Sequence, residues 1–119
     1  MWFLSTKITL SLALFLLIQP KTDGQVQCKE WCIADPQTPE DILQAALNWA
    51  CGPGGADCGL IQQNQPCYLP NKLVDHASYA FNSYWQKYKH KGGTCDFSSA
   101  AMVVGLDPSH DHCTYDSVS

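Results

Sequence analysis

Seven cysteines constrain this chain more than any other feature of its sequence. All of them fall between positions 28 and 113 of the 119 residues. A segment this short buries too little apolar surface to be comfortably stable alone. Secreted compartments let disulfides form and persist, and three bridges at about 2–4 kcal/mol each would rival the whole expected stability of such a domain. The cysteines therefore predict a small, secreted, disulfide-bridged domain.

Metal binding is the alternative use of these cysteines, and their spacing disfavours it. Cys28-x3-Cys32 has no matching second pair of Cys or His downstream, and Cys51-x6-Cys58 is too wide for a typical zinc knuckle. We therefore predict disulfides and no metal site. Because seven is odd, one thiol is left over. Cys28 is the natural candidate, since it lies near the predicted N-terminus of the mature chain, and a disulfide dimer could form through it.

The first 24 residues have the features of a secretory signal peptide. A charged start is followed by a largely apolar run at 8–18 and a short polar stretch that ends at Gly24. The alternative is a membrane anchor, but such a run covers roughly 16 Å as a helix, about half of the hydrocarbon thickness of a bilayer. We therefore predict a signal peptide at 1–24, a secreted extracellular protein and no membrane anchor.

The charge balance excludes two classes of partner. Without residues 1–24 the chain loses two of its seven lysines and one of its eleven acidic residues, which leaves a net charge of −5, and it contains no arginine. Such a surface is a poor match for nucleic-acid phosphates and for anionic membranes. We therefore expect no nucleic-acid partner, whereas a neutral, hydroxyl-rich ligand would not be repelled.

Two helices are predicted from apolar periodicity and end signals. The first is capped by Thr38 and stops at the glycine-rich turn at 52–55. The second begins near a cap at Asn71 and stops before Gly92. Extended segments are predicted at 29–34 and 95–105.

The second helix has two contrasting faces at about 100° per residue. Its apolar face carries Leu73, Val74, Ala77, Ala80, Phe81, Tyr84, Trp85 and Tyr88. The other face carries Asp75, Asn82, Ser83 and Gln86, with Tyr79 among them. We therefore predict that Tyr79 faces water. Single exposed aromatic residues are common, but a ring flanked by amides and a carboxylate also suits a sugar, whose apolar face stacks on the ring.

The sequence offers little for catalysis. A glycosidase needs two positioned carboxylates, and the only glutamates beyond residue 24 are Glu30, near the terminal segment, and Glu40, in the first turn of a helix. The His-Asp-His run at 110–112 is more typical of a solvated turn than of a metal site. No phosphate loop or serine-nucleophile motif is present. We predict no enzyme activity and no cofactor.

Several blocks, in order along the chain, carry a resemblance to one family. They are WCIA at 31–34, LNWACG at 47–52, ADC at 56–58, IQ at 61–62, CYLPN at 67–71, HASYAFNSYWQK at 76–87, CDF at 95–97 and DPS at 107–109. With six matching cysteines, these blocks resemble the plant X8 domain, the family 43 carbohydrate-binding module. That module occurs at the C-terminus of some β-1,3-glucanases, in plasmodesmal callose-binding proteins and in single-module proteins that include a pollen allergen.

The resemblance implies a small α+β fold with two main helices, a small antiparallel sheet and three disulfides. By the family's pattern the bridges are Cys32–Cys95, Cys51–Cys58 and Cys67–Cys113, whereas the sequence alone does not choose among the fifteen pairings of six cysteines. The resemblance to the X8 domain also implies non-catalytic binding of β-1,3-glucan such as callose, in the plant cell wall or apoplast. The predicted divisions are a short N-terminal segment at 25–30, the module at 31–115 and a tail at 116–119.

Two segments depart from the family's pattern. Ser-Ser-Ala-Ala stands at 98–101 where the family usually has Gly-Gly-Thr-Ala, and Pro-Ser-His-Asp-His stands at 108–112 where it usually has Pro-Ser-Tyr-Gly. Losing glycines stiffens a segment, and losing an aromatic ring removes a candidate sugar contact. These departures favour an alternative function, in which a secreted structural or interaction protein keeps the scaffold but has lost sugar binding.

The predicted ligand site centres on the second helix. Three aromatic residues are predicted to stack on the sugar and three polar residues to orient it: Tyr79, Tyr68 and Trp85, and Asp75, Asn82 and Gln86. Four other aromatic residues are predicted to lie in the core: Trp31, Trp49, Phe81 and Tyr84.

Overall fold

The computed structural model describes residues 28–119, so the predicted signal peptide and its cleavage point lie outside the described residues. Between 28 and 119 the chain forms two α-helices and one antiparallel sheet of two strands, which confirms the predicted α+β class. The elements are strand β1 (Trp31–Ala34), helix α1 (Glu40–Cys51), a 3-10 turn (Cys58–Ile61), helix α2 (Leu73–Tyr88), a second 3-10 turn (Lys89–Lys91) and strand β2 (Ala101–Val104). No helix in this range is long and apolar enough to cross a bilayer.

Helix α1 begins at Glu40 without a side-chain cap. Thr38, the predicted cap, instead donates its backbone N–H to the carbonyl oxygen of Asp35 at 3.0 Å, within the preceding turn. Glu40 and Asp41 place negative charge in the first turn, where it stabilises the helix dipole. The helix stops at Gly52, as the glycine-rich turn predicts.

Helix α2 is the central element and packs against both α1 and β1. It begins at Leu73, two residues after the predicted cap Asn71, and no side chain caps it. Ala77 and Ala80 are fully buried, and their small side chains allow neighbouring elements to approach the helix closely. Because residues on several sides of α2 are buried, the helix lies inside the domain rather than on its surface.

The sheet pairs β1 with β2, with Trp31 opposite Val104. The other edge of β1 faces α2. There the Cys32 N–H donates to Asn82 Oδ1 at 3.0 Å, and the Ala34 N–H donates to Ser78 Oγ at 3.0 Å. Side chains of α2 therefore take the place of a third strand and satisfy backbone groups that would otherwise be buried without partners.

Three disulfides hold these elements, with the pairing that the resemblance implies: Cys32–Cys95, Cys51–Cys58 and Cys67–Cys113. The first joins β1 to the segment before β2, the second closes the turn after α1, and the third ties the segment before α2 to the C-terminal part of the chain. Cys28 keeps a free, exposed thiol. Because the other six cysteines pair within the chain, nothing among the described residues supports a disulfide dimer.

Candidate functional site

The polar face of α2 is buried, so the prediction that it meets solvent is wrong. Tyr79, Asn82 and Gln86 are only 4%, 1% and 5% exposed. The helical wheel separates polar from apolar residues correctly, but the polar side packs against protein. Backbone groups of the N-terminal strand and the C-terminal tail need hydrogen-bond partners there, and the polar side chains supply them.

Asn82 shows how these partners are arranged. Its Oδ1 accepts from the Cys32 N–H at 3.0 Å and from Gln86 Nε2 at 3.0 Å, while its Nδ2 donates to the Asp116 carbonyl at 2.9 Å. Gln86 Oε1 accepts from the Val118 N–H at 2.9 Å. These amides are therefore occupied within the protein, where they fasten both ends of the domain to α2.

Tyr79 packs within the same region. Its ring lies edge-on to Tyr115, with 5.3 Å between ring centroids. Burial raises the pKa of Tyr79 to about 12, and the negative charges of Asp116 and Asp57 add to the shift. The phenol is therefore a neutral packing group at physiological pH.

The other three predicted ligand residues are half-buried and dispersed. Trp85 lies under Lys89, whose Nζ is 4.7 Å from the ring centroid. Tyr68 packs beside His76, with 5.5 Å between centroids, and Asp75 lies on the first turn of α2. None of the six predicted residues lines the groove that lies between α1 and the segment at 94–98.

A groove of about 730 Å³ runs between α1 and the segment at 94–98. One wall is the exposed side of α1, the other is the 94–98 segment, and Tyr84 of α2 completes the lining. The lining residues are Asp41, Ile42, Ala45, Ala46, Trp49, Tyr84, Thr94, Asp96, Phe97 and Ser98.

The α1 wall is predominantly apolar and solvent-exposed. From Asp41 to Trp49 the lining residues recur at helical spacing, over roughly 12 Å of helix. Ile42 is 44% exposed and Trp49 is 45% exposed, so the prediction that Trp49 lies in the core is wrong. The apolar residues of α1 cover a wider arc than its contact with α2 buries. Leu43, Leu47 and Ala50 are buried. The apolar residues that line the groove are Ile42, Ala45, Ala46 and Trp49.

The Trp49 ring is held in place by its neighbours. It meets Tyr84 edge-to-face at 5.2 Å and Phe97 at 6.0 Å between centroids. Behind it, a Cβ added at Gly54 would lie 2.8 Å from Trp49 Cζ3 and 3.0 Å from Ala50 Cα. Glycine at this turn therefore permits the turn to approach the indole ring closely, and the ring presents a fixed surface to the groove.

The facing wall is polar. Thr94, Asp96 and Ser98 recur at alternate positions and are exposed, so a row of hydroxyl and carboxylate groups faces the apolar wall. Phe97 anchors this segment by stacking on Phe81, with centroids 4.1 Å apart and planes 14° apart. An apolar wall opposite a row of hydrogen-bonding groups suits an elongated, uncharged ligand with apolar faces and hydroxyl edges.

The described residues contain no group of three or more His, Cys, Asp or Glu side chains that could hold a metal ion. His110, from the His-Asp-His run, has both ring nitrogens beside backbone carbonyls: Nδ1 lies 3.1 Å from the Pro108 oxygen and Nε2 lies 3.3 Å from the Leu69 oxygen. These carbonyls raise the pKa of His110, the Pro108 contact most. The imidazole thus links two loops.

A signal for the groove was present in the sequence. On the α1 wheel, Ile42 and Trp49 extend the apolar arc beyond Leu43 and Leu47, although a helix that packs on one neighbour needs a narrower stripe. An apolar arc that is too wide for one partner indicates a second contact surface. The facing wall gave no comparable signal, because its position depends on the Cys32–Cys95 disulfide and on the Phe97–Phe81 stack.

Comparison with known proteins identifies the class of domain. The model of the X8 domain family matches residues 30–102. This range is more than half of the chain and includes β1, both helices, all of the residues that line the groove and the start of β2. The chain belongs to the X8 domain family.

Three proteins of Arabidopsis thaliana are similar in sequence to this chain. Glucan endo-1,3-beta-glucosidase 4 is 52% identical over 85 residues, which cover 71% of this chain and 17% of that protein. Glucan endo-1,3-beta-glucosidase 13 is 46% identical over 94 residues, 79% of this chain and 19% of that protein. Plasmodesmata callose-binding protein 5 is 40% identical over 105 residues, 87% of this chain and 58% of that protein. This chain therefore matches less than a fifth of each glucosidase and somewhat over half of the callose-binding protein.

Proposed function

We propose that this domain binds β-1,3-glucan without cleaving it, in the groove between α1 and the 94–98 segment. The observation that carries the proposal is Trp49, a large aromatic ring that is 45% exposed and held by two other rings at the edge of the groove. Stacking of a pyranose on such a ring buries apolar area on both partners.

The polar wall supports the same ligand class. The Thr94 hydroxyl can donate a hydrogen bond to a sugar hydroxyl or accept one from it, and the Asp96 carboxylate can accept one. Asp41 and Asp96 give the groove negative charge, which disfavours anionic polysaccharides and leaves neutral glucans unaffected. The relatives point to the same linkage, since their names refer to 1,3-beta-glucan and to callose.

The proposed location is extracellular, in the plant cell wall or apoplast. It rests on the predicted signal peptide at 1–24 and on the three disulfides, which persist in oxidising compartments.

Retention on insoluble β-1,3-glucan tests the proposal. The oxidised protein is incubated with the glucan, with cellulose and xylan as comparison polymers, and we expect retention on the β-1,3-glucan. Trp49→Ala should weaken that binding by about tenfold or more. Trp85→Ala is the matched control, because Trp85 is a partly exposed tryptophan outside the groove, and it should bind as the unmodified protein does.

Three outcomes would each contradict a part of the proposal. Absence of retention by the unmodified, folded protein would show that the scaffold has no affinity for this glucan. Equal loss from Trp49→Ala and Trp85→Ala, with both variants folded, would show that the groove is not the site. Release of reducing sugar over a long incubation would contradict the non-catalytic part, since Asp41 and Asp96 are both available in the groove as carboxylates.

A further inference from the structure

Three consecutive residues at the end of the polar wall have backbone conformations that favour glycine, yet none is glycine. Phe97, Ser98 and Ser99 have φ angles of +51°, +55° and +68°. A positive φ brings the Cβ of an L-residue close to its own backbone, so this conformation is unfavourable for all three residues. Such strain persists only where the surrounding structure imposes it, and it concentrates at functional sites.

The surrounding contacts that impose this conformation can be identified. Phe97 is fixed by its stack on Phe81. The turn is closed by the Ala100 N–H, which donates to the Phe97 carbonyl at 3.1 Å, and by the Ala101 N–H, which donates to the Asp96 carbonyl at 3.1 Å. These contacts explain how the strain is maintained, but they do not explain why serine is present where glycine would relieve it.

Ser98 and Ser99 differ in one respect that bears on function. Both are exposed and both have positive φ, but Ser98 lines the groove and Ser99 does not. A glycine at position 98 would remove the hydroxyl group at the end of the polar row that Thr94 and Asp96 begin. The strained position therefore carries a hydrogen-bonding group into the groove.

We propose that Ser98 is a ligand-contacting residue whose hydroxyl exchanges a hydrogen bond with a hydroxyl group of the bound glucan. This inference rests on the proposed function, because it assigns a contact within the same groove. The rigid turn holds the hydroxyl in position before the ligand arrives, so little conformational entropy is lost when the contact forms.

Four single substitutions separate the hydroxyl contact from the backbone strain. Ser98→Ala removes the hydroxyl and keeps the strain, while Ser98→Gly removes both. Ser99→Ala and Ser99→Gly make the same changes outside the groove. The affinity for a soluble β-1,3-gluco-oligosaccharide is measured by calorimetry, and thermal unfolding is followed by circular dichroism.

We expect Ser98→Ala and Ser98→Gly to weaken binding by about three- to tenfold, the value of one neutral hydrogen bond. The two Ser99 variants should bind as the unmodified protein does. Both glycine variants should raise the melting temperature by about 2–6 °C through relief of the positive φ, and Ser98→Ala should leave it unchanged. This pattern would place a ligand contact at Ser98 and none at Ser99.

Unchanged affinity of Ser98→Ala would overturn the inference, as would an equal loss from Ser99→Ala. Trp49→Ala distinguishes loss of the whole groove site from loss of the Ser98 contact. If Trp49→Ala loses binding and Ser98→Ala does not, the groove is the site but Ser98 is not a contact. If the unmodified protein does not bind the oligosaccharide, the proposed function and this inference both fail.

Discussion

The polar face of α2 and the exposed face of α1 reverse the usual relation between polarity and burial. On α2, Asn82 and Gln86 are buried because backbone groups of β1 and of the C-terminal tail use them as hydrogen-bond partners. On α1, Ile42 and Trp49 are apolar yet exposed, and they line the groove. In a domain this small a central helix is covered on several sides, so its polar residues serve internal partners while the outer helix presents apolar surface.

The largest effect is expected when the buried amide network is broken. Asn82→Ala would leave the Cys32 N–H and the Asp116 carbonyl without their side-chain partner, and Gln86 Nε2 would keep only its hydrogen bond to the Glu30 carbonyl. We expect a loss of about 2–4 kcal/mol in the free energy of unfolding and a fall in melting temperature of about 10 °C or more. Chemical and thermal unfolding measure both.

The matched control for Asn82 is Asn48→Ala. Asn48 is exposed on α1 and accepts one side-chain hydrogen bond from Gln44 at 2.9 Å, so its loss should change the free energy of unfolding by less than about 0.5 kcal/mol. Equal destabilisation by the two variants would contradict the view that the polar face of α2 is structural.

Substitution of Gly54 tests whether the position of the Trp49 ring matters for binding. Gly54→Ala would place a Cβ 2.8 Å from Trp49 Cζ3 and 3.0 Å from the Ala50 backbone. The turn must shift, at a cost of about 1–3 kcal/mol, and the displaced ring should bind β-1,3-glucan more weakly. At Gly105 an added Cβ meets nothing within 4 Å, so Gly105→Ala should change neither stability nor binding. Glucan binding by folded Gly54→Ala at the unmodified level would show that ring position does not matter.

The sequence predicts the secondary structure of α1 and α2 well but predicts poorly which of their faces are exposed. Both helices and the three disulfides are confirmed, because apolar periodicity, glycine stops and family resemblance are local or inherited signals. The extended segment predicted at 29–34 contains β1, whereas only 101–104 of the one predicted at 95–105 is a strand, because residues 97–100 form a turn. The predicted exposure was wrong at Tyr79 and at Trp49, since Tyr79 is buried and Trp49 is exposed. The wheel assigns a residue to a side of the helix, whereas exposure of that side depends on which distant segments cover it. For Tyr79 these are Tyr115 and the C-terminal tail.

Alkaline titration probes the buried region with a smaller perturbation. The pKa of Tyr79 is raised in the folded state to about 12 from an ordinary value near 10, chiefly by burial. An acid with a raised folded-state pKa contributes stability that is fully present below about pH 10 and is lost as the pH rises toward 12. Tyr115, whose pKa burial also raises, adds to this loss.

Tyr79→Phe keeps the ring contact with Tyr115 and removes the titrating group. It should lose no more than about 1 kcal/mol at neutral pH, and its stability should fall less steeply than that of the unmodified protein between pH 10 and 12. Unfolding measured across this pH range provides the comparison. An identical slope for the two proteins would mean that the Tyr79 phenol is not protected by burial.

The smallest loss of binding is expected at Ile42, where substitution also tests the exposed face of α1. Ile42 is 44% exposed in the groove, and Val103, on β2 outside the groove, is 43% exposed. Ile42→Ser and Val103→Ser remove apolar side chains that are buried to a similar extent, so each should lower the free energy of unfolding by a similar amount, about 1 kcal/mol. Only Ile42→Ser should weaken binding of the β-1,3-gluco-oligosaccharide, by about two- to fivefold. Ile42 lies in the groove, where the ligand can cover its apolar surface, whereas Val103 lies outside it. If both variants bind as the unmodified protein does, the ligand contacts Trp49 without extending along α1. The binding site would then be limited to the end of the groove near the glycine-rich turn.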